Sequence, residues 1–220
     1  MERAIEIIFE AIVPIAVAGA KITIPLSIIS FAFGLVIAVI TALARLSKIK
    51  ILKIFFDFYV WIFRGTPMLV QLFIVFYGLP KVGIQFDIWS AAIVAFSLNV
   101  GAYASEAIRA AILSVPKGQW EAALSLGMNK VMILRRIIAP QAMRISIPPL
   151  SNTFISLVKD TSLAASITMV DMFMVAQRIA ARTFEPLLLY VLVAVMYLII
   201  CTALTFLQSY LEKRSSKFLG

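Results

Sequence analysis

Histidine is absent from this 220-residue chain, cysteine occurs once, and only 14% of the residues are charged. Without histidine the usual imidazole metal site and proton relay are unavailable. The lone Cys201, set in an apolar run, can form no intrachain disulfide. The charged share falls well below the ~25% of ordinary soluble domains. No Gly-rich phosphate loop of the GxxxxGK type occurs, so the chain is not expected to hydrolyse ATP. Nucleophile–base pairs and metal-ligating clusters are missing too, which leaves an enzyme as the least favoured class. There is no alternating strand pattern, no repeat of 20–50 residues and no Gly/Ser linker, so the expectation is one domain over 1–220. Residues 1–10 hold three Glu and one Arg in place of a basic leader and do not resemble a cleavable signal peptide.

What the chain has in abundance is apolar surface, at 62% hydrophobic residues. A bilayer is the natural solvent for such a composition. The net charge of +9 does not indicate nucleic acid, because the basic residues are scattered among hydrophobic segments. Four apolar stretches, 22–44, 58–80 (interrupted by Arg64), 88–105 and 186–211, read as membrane spans. A fifth, 131–158, carries Arg135, Arg136, Arg144 and three prolines, with its charges near the start. Helices are then the spanning element that satisfies the backbone in lipid. The 1–10 segment, with Ile5, Ile8, Phe9 and Ile12 on one face, reads as an amphipathic helix lying on the membrane. A short interfacial helix is expected over 168–183, on Met172, Val175, Ala176 and Ile179.

Five spans place the termini on opposite sides. The basic clusters at 45–53, 109–144 and 213–217 contain thirteen Lys and Arg, against five on the opposite side. The positive-inside bias therefore puts the amino terminus outside and the 109–144 segment in the cytoplasm.

Within that segment Pro116 can open a helix whose face carries Trp120, Ala123, Leu124, Gly127 and Met128. Gly127 suits a left-handed stop and Asn129 a new N-cap. A helix of ten residues, about 15 Å long, is marginal alone in water and needs packing to hold it. Pattern alone leaves open whether the insert grips a partner or lies on the bilayer.

Polar groups inside spans cost about 2.5–3.5 kcal/mol on insertion scales, so each needs a partner, a wet cavity or a function. Arg64, Gln71, Asn99, Glu106, Lys159 and Asp160 are the candidates. Lys159 and Asp160 offer both signs for a zwitterion, although Asp160, Thr161 or Ser162 can equally cap the next helix. Gln71 and Asn99 suit either a ligand or an interhelical bond. Arg64 can snorkel to the interface, while Gly65-Thr66-Pro67 marks a kink or a broken helix with Thr66 capping the new start. Glu106 and Arg109, three apart, suit an ion pair.

The spacing Glu121-Ala122-Ala123, Gly127, Ile137 and Pro140 resembles the coupling motif of ABC importer permeases, with Ala139 where that motif usually has Leu. Four more segments resemble the polar amino-acid (His/Glu/Gln/Arg/opine) branch of that family. They are Arg64-Gly65-Thr66-Pro67 with Leu69-Val70-Gln71, Tyr103-Ala104-Ser105-Glu106, Ser114-Val115-Pro116-Lys117-Gly118-Gln119-Trp120, and Val158-Lys159-Asp160-Thr161-Ser162-Leu163. The resemblance covers most of 64–163, whereas 1–20 and the last span match only in hydrophobic character.

It implies an all-α integral membrane permease of the type I ABC importer (MetI-like) architecture, with five transmembrane helices and a coupling insert at about 114–130. Trp120, Glu121, Ala122, Ala123 and Gly127 would contact a separate ATPase, and Arg64, Gln71, Asn99, Lys159, Asp160 and Thr161 would line the substrate path. The implied partners are ATP-binding cassette subunits, an extracytoplasmic amino-acid-binding protein, a second permease chain, identical or related, and membrane lipid. ATP and Mg would be bound by the ATPase, with no cofactor in this chain. The setting would be a bacterial or archaeal inner membrane. An ion-coupled secondary transporter or channel subunit is the alternative, and a non-transporting anchor is a third class.

Overall fold

The computed structural model describes the backbone of residues 2–216 and the side chains of 2–213. Met1, the start of the 1–10 segment, and Lys217, from the carboxy-terminal basic cluster, lie outside the described residues. Every regular element among the described residues is helical.

Helix α1 (Glu2–Ala18) passes through a π-helical turn (Gly19–Thr23) into α2 (Ile24–Leu46), making one helix of 45 residues. The widened turn directly precedes Pro25, whose ring would otherwise clash with a carbonyl one turn back. A separate surface helix over 1–10 is therefore not what forms. That segment is the start of the first long helix, and it packs through Ile7, Ala11, Ile15 and Ala18 against α9 and α10. The expected apolar face is the outward one, with Phe9 71% exposed. At 1.5 Å per residue the combined helix is about 67 Å long, roughly twice the hydrocarbon thickness.

The 58–80 stretch is not one straight span. Helix α3 (Lys50–Gly65) ends at Thr66, whose backbone is extended (φ −122°, ψ 148°), and α4 (Met68–Phe73) begins after Pro67. The two arms, Lys50–Gly65 and Met68–Val82, are bent by 110°. Proline excludes helical geometry from the residue before it and supplies no N–H, so the break is written into Thr66-Pro67.

Helix α5 (Ile88–Ser114) is capped by Asp87, whose carboxylate accepts from Trp89 N at 3.0 Å and Ser90 N at 3.4 Å. A further hydrogen bond from the Ser90 hydroxyl holds the Asp87 carboxyl below the usual aspartate range. Then come α6 (Lys117–Ser125), α7 (Lys130–Ile133) and a π-helical turn (Leu134–Ile138). Helix α8 (Ala139–Asp160) follows and closes in a 3₁₀ turn, Thr161–Ile167. The chain ends with α9 (Met172–Thr183) and α10 (Pro186–Ser216). Asp171 caps α9, accepting from Met174 N at 2.9 Å, and its second oxygen accepts from Tyr197 Oη on α10 at 3.2 Å.

Three helices, Glu2–Leu46, Ile88–Ser114 and Pro186–Lys213, are long and apolar enough to cross a membrane among the described residues. The number rises to five if each bent pair, the second being Lys130–Ile167 with Met172–Thr183, counts as one crossing.

The core is a seam between α2 and α5. A Cβ on Gly34 would lie 2.5 Å from Val100 Cγ1, and one on Gly101 would lie 2.6 Å from Ile37 Cγ2. Small residues on α2, Ser27, Ser30, Gly34, Ala38 and Thr41, are buried along this seam, the close-approach device of helices packed in lipid.

Candidate functional site

Beside the α3–α4 corner lies a cavity of about 390 Å³, walled by that corner, α5 and α8. The corner contributes Thr66 and Pro67, α5 contributes Asn99 and Tyr103, and α8 contributes Asn152, Ser156 and Asp160. Such a volume suits a small polar solute.

Gln71 pins the corner. It is 5% exposed, and its Nε2 donates toward Phe63 O at 2.8 Å, Thr66 O at 3.0 Å and Thr66 Oγ1 at 2.9 Å. These bonds satisfy carbonyls that the interrupted helix leaves without intrahelical donors. Thr66 closes the old helix by donating to Ile62 O at 2.8 Å, and the new helix has no side-chain cap, so Thr66 does not cap its start.

Of the six predicted path residues, Asn99 and Asp160 line the cavity. Gln71 stands behind it, bonded through Oε1 to Asn99 Nδ2 at 2.9 Å. Arg64 lies outside the wall with its guanidinium 5.5 Å from the Tyr103 ring centroid. Lys159 is exposed and faces elsewhere, since successive helical residues point about 100° apart. Thr161 is fully buried and donates to Val158 O at 2.7 Å, which ties off the end of α8.

Asn152 and Ser156 were not among the expected residues. With Asp160 they fall at i, i+4 and i+8 of α8, a polar stripe legible in the sequence as a single helical face.

One turn and more along α5 from Asn99, Glu106 gathers three arginines. Its Oε1 accepts from Arg45 Nη1 and lies 3.8 Å from Arg64 Nη1, and its Oε2 accepts from Arg109 Nη2 at 3.0 Å. Arg45 also donates through Nε to Asp57 Oδ1 at 2.5 Å. The expected i, i+3 pair is present, and Arg45 and Asp57 extend it into a cluster joining α2, α3 and α5. At 13% side-chain exposure, Arg45 is the most enclosed member, so the cluster is more than surface decoration.

The 114–130 insert folds as a short helix, a tight turn and a new helix start. Gly127, at φ +74°, ends α6: Gly127 N donates to Leu124 O at 2.9 Å, and Met128 N reaches back to Ala123 O at 3.2 Å. That pair of bonds with a left-handed glycine is a Schellman stop. Asn129 caps α7, accepting from Met132 N at 2.9 Å. Pro116 occupies the N-cap, just before the first helical turn.

The insert's apolar face is already covered. Ala123 is buried, and Trp120 and Met128 are partly so, in one cluster with Ile112 near the end of α5, Val115 just beyond it, and Ile133, Ile138 and Ala142 from the α7–α8 segment. Leu124, expected on that face, is 52% exposed because the packed stripe continues through Ala123 to Met128. Outward lie Glu121, Ala122, Leu124 and Leu126, the last 80% exposed.

The model of the family described as binding-protein-dependent transport system inner membrane component matches residues 34–217. The chain is 53% identical over 208 residues to the L-cystine transport system permease protein TcyB of Bacillus subtilis (strain 168), covering 94% of this chain and 89% of that protein. It is 41% identical to the probable amino-acid ABC transporter permease protein YckA of the same organism, over 94% and 91% of the two chains. Among solved structures, an amino acid ABC transporter crystallised with histidines superposes with a TM-score of 0.86 at 33% identity, covering 92% of this chain and 94% of that one. The inward-facing MetNI methionine ABC transporter shares the fold, with a TM-score of 0.71 at 18% identity over 98% and 99%. Helical architecture, a family match over more than half its length and full-length relatives agree: the chain belongs to the family of binding-protein-dependent transport system inner membrane components.

Proposed function

We propose that this chain is the permease subunit of an ATP-driven importer of polar amino acids, working by alternating access. In this reading it forms one permease domain of five spans in a bacterial or archaeal inner membrane, with the amino terminus outside and the carboxy terminus in the cytoplasm. It pairs with a second permease chain, receives solute from an extracytoplasmic binding protein, and presents Glu121, Ala122 and Gly127 from the outer face of the insert to an ATPase that binds ATP and Mg, whereas Ala123 and most of Trp120, expected at that contact, are turned inward by their packing. The amino-acid substrate is supported by the names of the relatives, an L-cystine permease at 53% identity and putative glutamine permeases at 36–40%. It is also supported by the polar side chains set in the cavity wall, Asn99, Asn152, Ser156 and Asp160.

The observation that carries the mechanism is how the insert is packed. Its inner face shares one apolar cluster with Ile112 near the end of α5, Val115 just beyond it, and Ile133 and Ile138 in the turns that lead into α8, and α5 and α8 are the helices that supply Asn99 and Asp160 to the cavity. Close-packed contacts transmit displacement with little slack. A pull on the bare outer face at Glu121, Leu124 and Leu126 is thereby delivered to both cavity-lining helices. Closure of the ATPases supplies the pull, and the cavity changes the side on which it opens.

To test this, the chain is co-purified with candidate ATPase and binding-protein subunits, reconstituted in vesicles, and screened with L-cystine, L-glutamine and L-arginine. ATP-dependent accumulation of at least one of them is expected. Accumulation at full rate without the ATPase would overturn the reading in favour of an ion-coupled carrier or channel.

A further inference from the structure

We infer that two glutamines outside the cavity, Gln71 and Gln208, fix which end of each cavity asparagine faces the solute, so that Asn99 presents an acceptor and Asn152 a donor and the wall selects a zwitterion by its two ends. This rests on the amino-acid reading above and adds the polarity of its site.

The assignment follows from which atoms are able to donate. Backbone carbonyls only accept, so the end of Gln71 that meets Phe63 O and Thr66 O must be Nε2. Thr66 Oγ1 spends its proton on Ile62 O and must accept from Gln71 as well. Oε1 of Gln71 is then the end that meets Asn99, and Asn99 must answer with Nδ2, at 2.9 Å. Reversing either amide would set oxygen against oxygen in a buried place, where an unsatisfied polar group is costly. Asn99 Oδ1 is thus the end left for the cavity.

The second asparagine is set the opposite way. Gln208 on α10 donates through Nε2 to Glu212 Oε1 at 2.8 Å, and a carboxylate only accepts. The same Nε2 donates to Asn152 Oδ1 at 3.1 Å, which commits that oxygen and leaves Asn152 Nδ2 for the cavity. One wall therefore carries an acceptor at Asn99, reinforced by the carboxyl of Asp160, and a donor at Asn152. An ammonium has three donors and no acceptor, a carboxylate the reverse. A solute bearing both groups can satisfy both poles, and one lacking either group leaves a pole unpaired.

The test uses the complete reconstituted transporter and three probes: L-cystine, cystamine, which lacks the carboxylates, and 3,3′-dithiodipropionate, which lacks the ammonium groups. Uptake of L-cystine is measured with each analogue as inhibitor, in wild type, Gln71→Leu and Gln208→Leu, after confirming by co-purification that each variant assembles. The expected pattern is crossed. Gln71→Leu weakens inhibition by cystamine about tenfold and leaves that by dithiodipropionate unchanged, whereas Gln208→Leu does the reverse. Both variants raise KM for L-cystine more than they lower the maximal rate.

General structural damage would weaken both analogues together, and that result, or no change in either variant, overturns the inference while leaving the amino-acid reading intact. Should Gln71→Leu fail to assemble, the Gln208→Leu arm decides, because that residue lies on the half-exposed side of α10. A wild type whose L-cystine uptake is inhibited by neither analogue overturns the inference alone, and one that takes up none of L-cystine, L-glutamine and L-arginine overturns the amino-acid reading and the inference with it.

Discussion

At the residue scale, Asp160 and Glu106 separate two uses of a carboxyl in a lipid-embedded bundle. Asp160 lines the cavity, and the charge acting on it is that of its neighbour Lys159 on the same helix. Asp160→Asn removes charge and keeps shape, so the expectation is an uptake rate at least tenfold lower with unchanged co-purification of the ATPase, checked by vesicle transport and pull-down. Uptake at the wild-type rate would reduce Asp160 to a helix-end residue. Glu106 is spent on three arginines. Glu106→Gln removes the charge and one acceptor from a partly exposed cluster in which Arg45 keeps Asp57, and destabilisation of about 1–3 kcal/mol is expected. Thermal unfolding in detergent measures it, and an unchanged midpoint would mean that water already screens the cluster.

At the scale of elements, one turn of backbone and one seam of small side chains decide the site. The Gly65-Thr66-Pro67 corner folds α3 and α4 across each other and so opens the cavity's edge. Pro67→Ala restores an N–H and lifts the restriction on Thr66, which favours a straighter helix through the corner. The expected outcome is a large loss of uptake with the protein still in the membrane, read by transport and by surface labelling on intact cells. The α2–α5 seam is less forgiving. Gly101→Leu drives a side chain into Ile37 and the Tyr59 hydroxyl, 2.6 and 2.7 Å from where its Cβ would stand. Overpacking of this kind costs about 1–3 kcal/mol, visible as a lower unfolding temperature. A neutral Gly101→Leu would show that α2 can move away from α5.

At the scale of the whole molecule, the proposed coupling depends on the two faces of the 114–130 insert. The outer face of the insert is polar and apolar by turns, while its inner face joins the apolar cluster at the end of α5 and the start of the α7–α8 segment. Glu121→Arg changes only the bare side, so normal membrane insertion with loss of ATP-driven uptake is expected, checked by fractionation and by vesicle transport. Undiminished uptake would remove Glu121 from the contact with the ATPase.

Much of this was legible from composition and local pattern. The membrane class follows from 62% hydrophobic residues, the insert from Pro116, Gly127 and Asn129, and the corner from Thr66-Pro67, because each is a matter of transfer free energy or backbone geometry acting within a few residues. Spacing along one helix also held the stripe Asn152, Ser156 and Asp160.

What local pattern did not contain is direction between elements. Lys159 and Asp160 are equivalent as neighbours in a string, and only the rotation of α8 against α5 turns one into the cavity and the other away. Gln71 and Asn99 were each open to a ligand or an interhelical bond, and only the fold of α4 onto α5 makes them one chain of hydrogen bonds with a defined polarity. Arg45 and Asp57 joined Glu106 for the same reason, since charges distant in sequence meet through packing. Solvent and backbone preference were determined by the residues themselves, whereas the meeting of side chains from different helices was decided by tertiary structure, because it depends on crossing angle and helix rotation, which no single segment encodes.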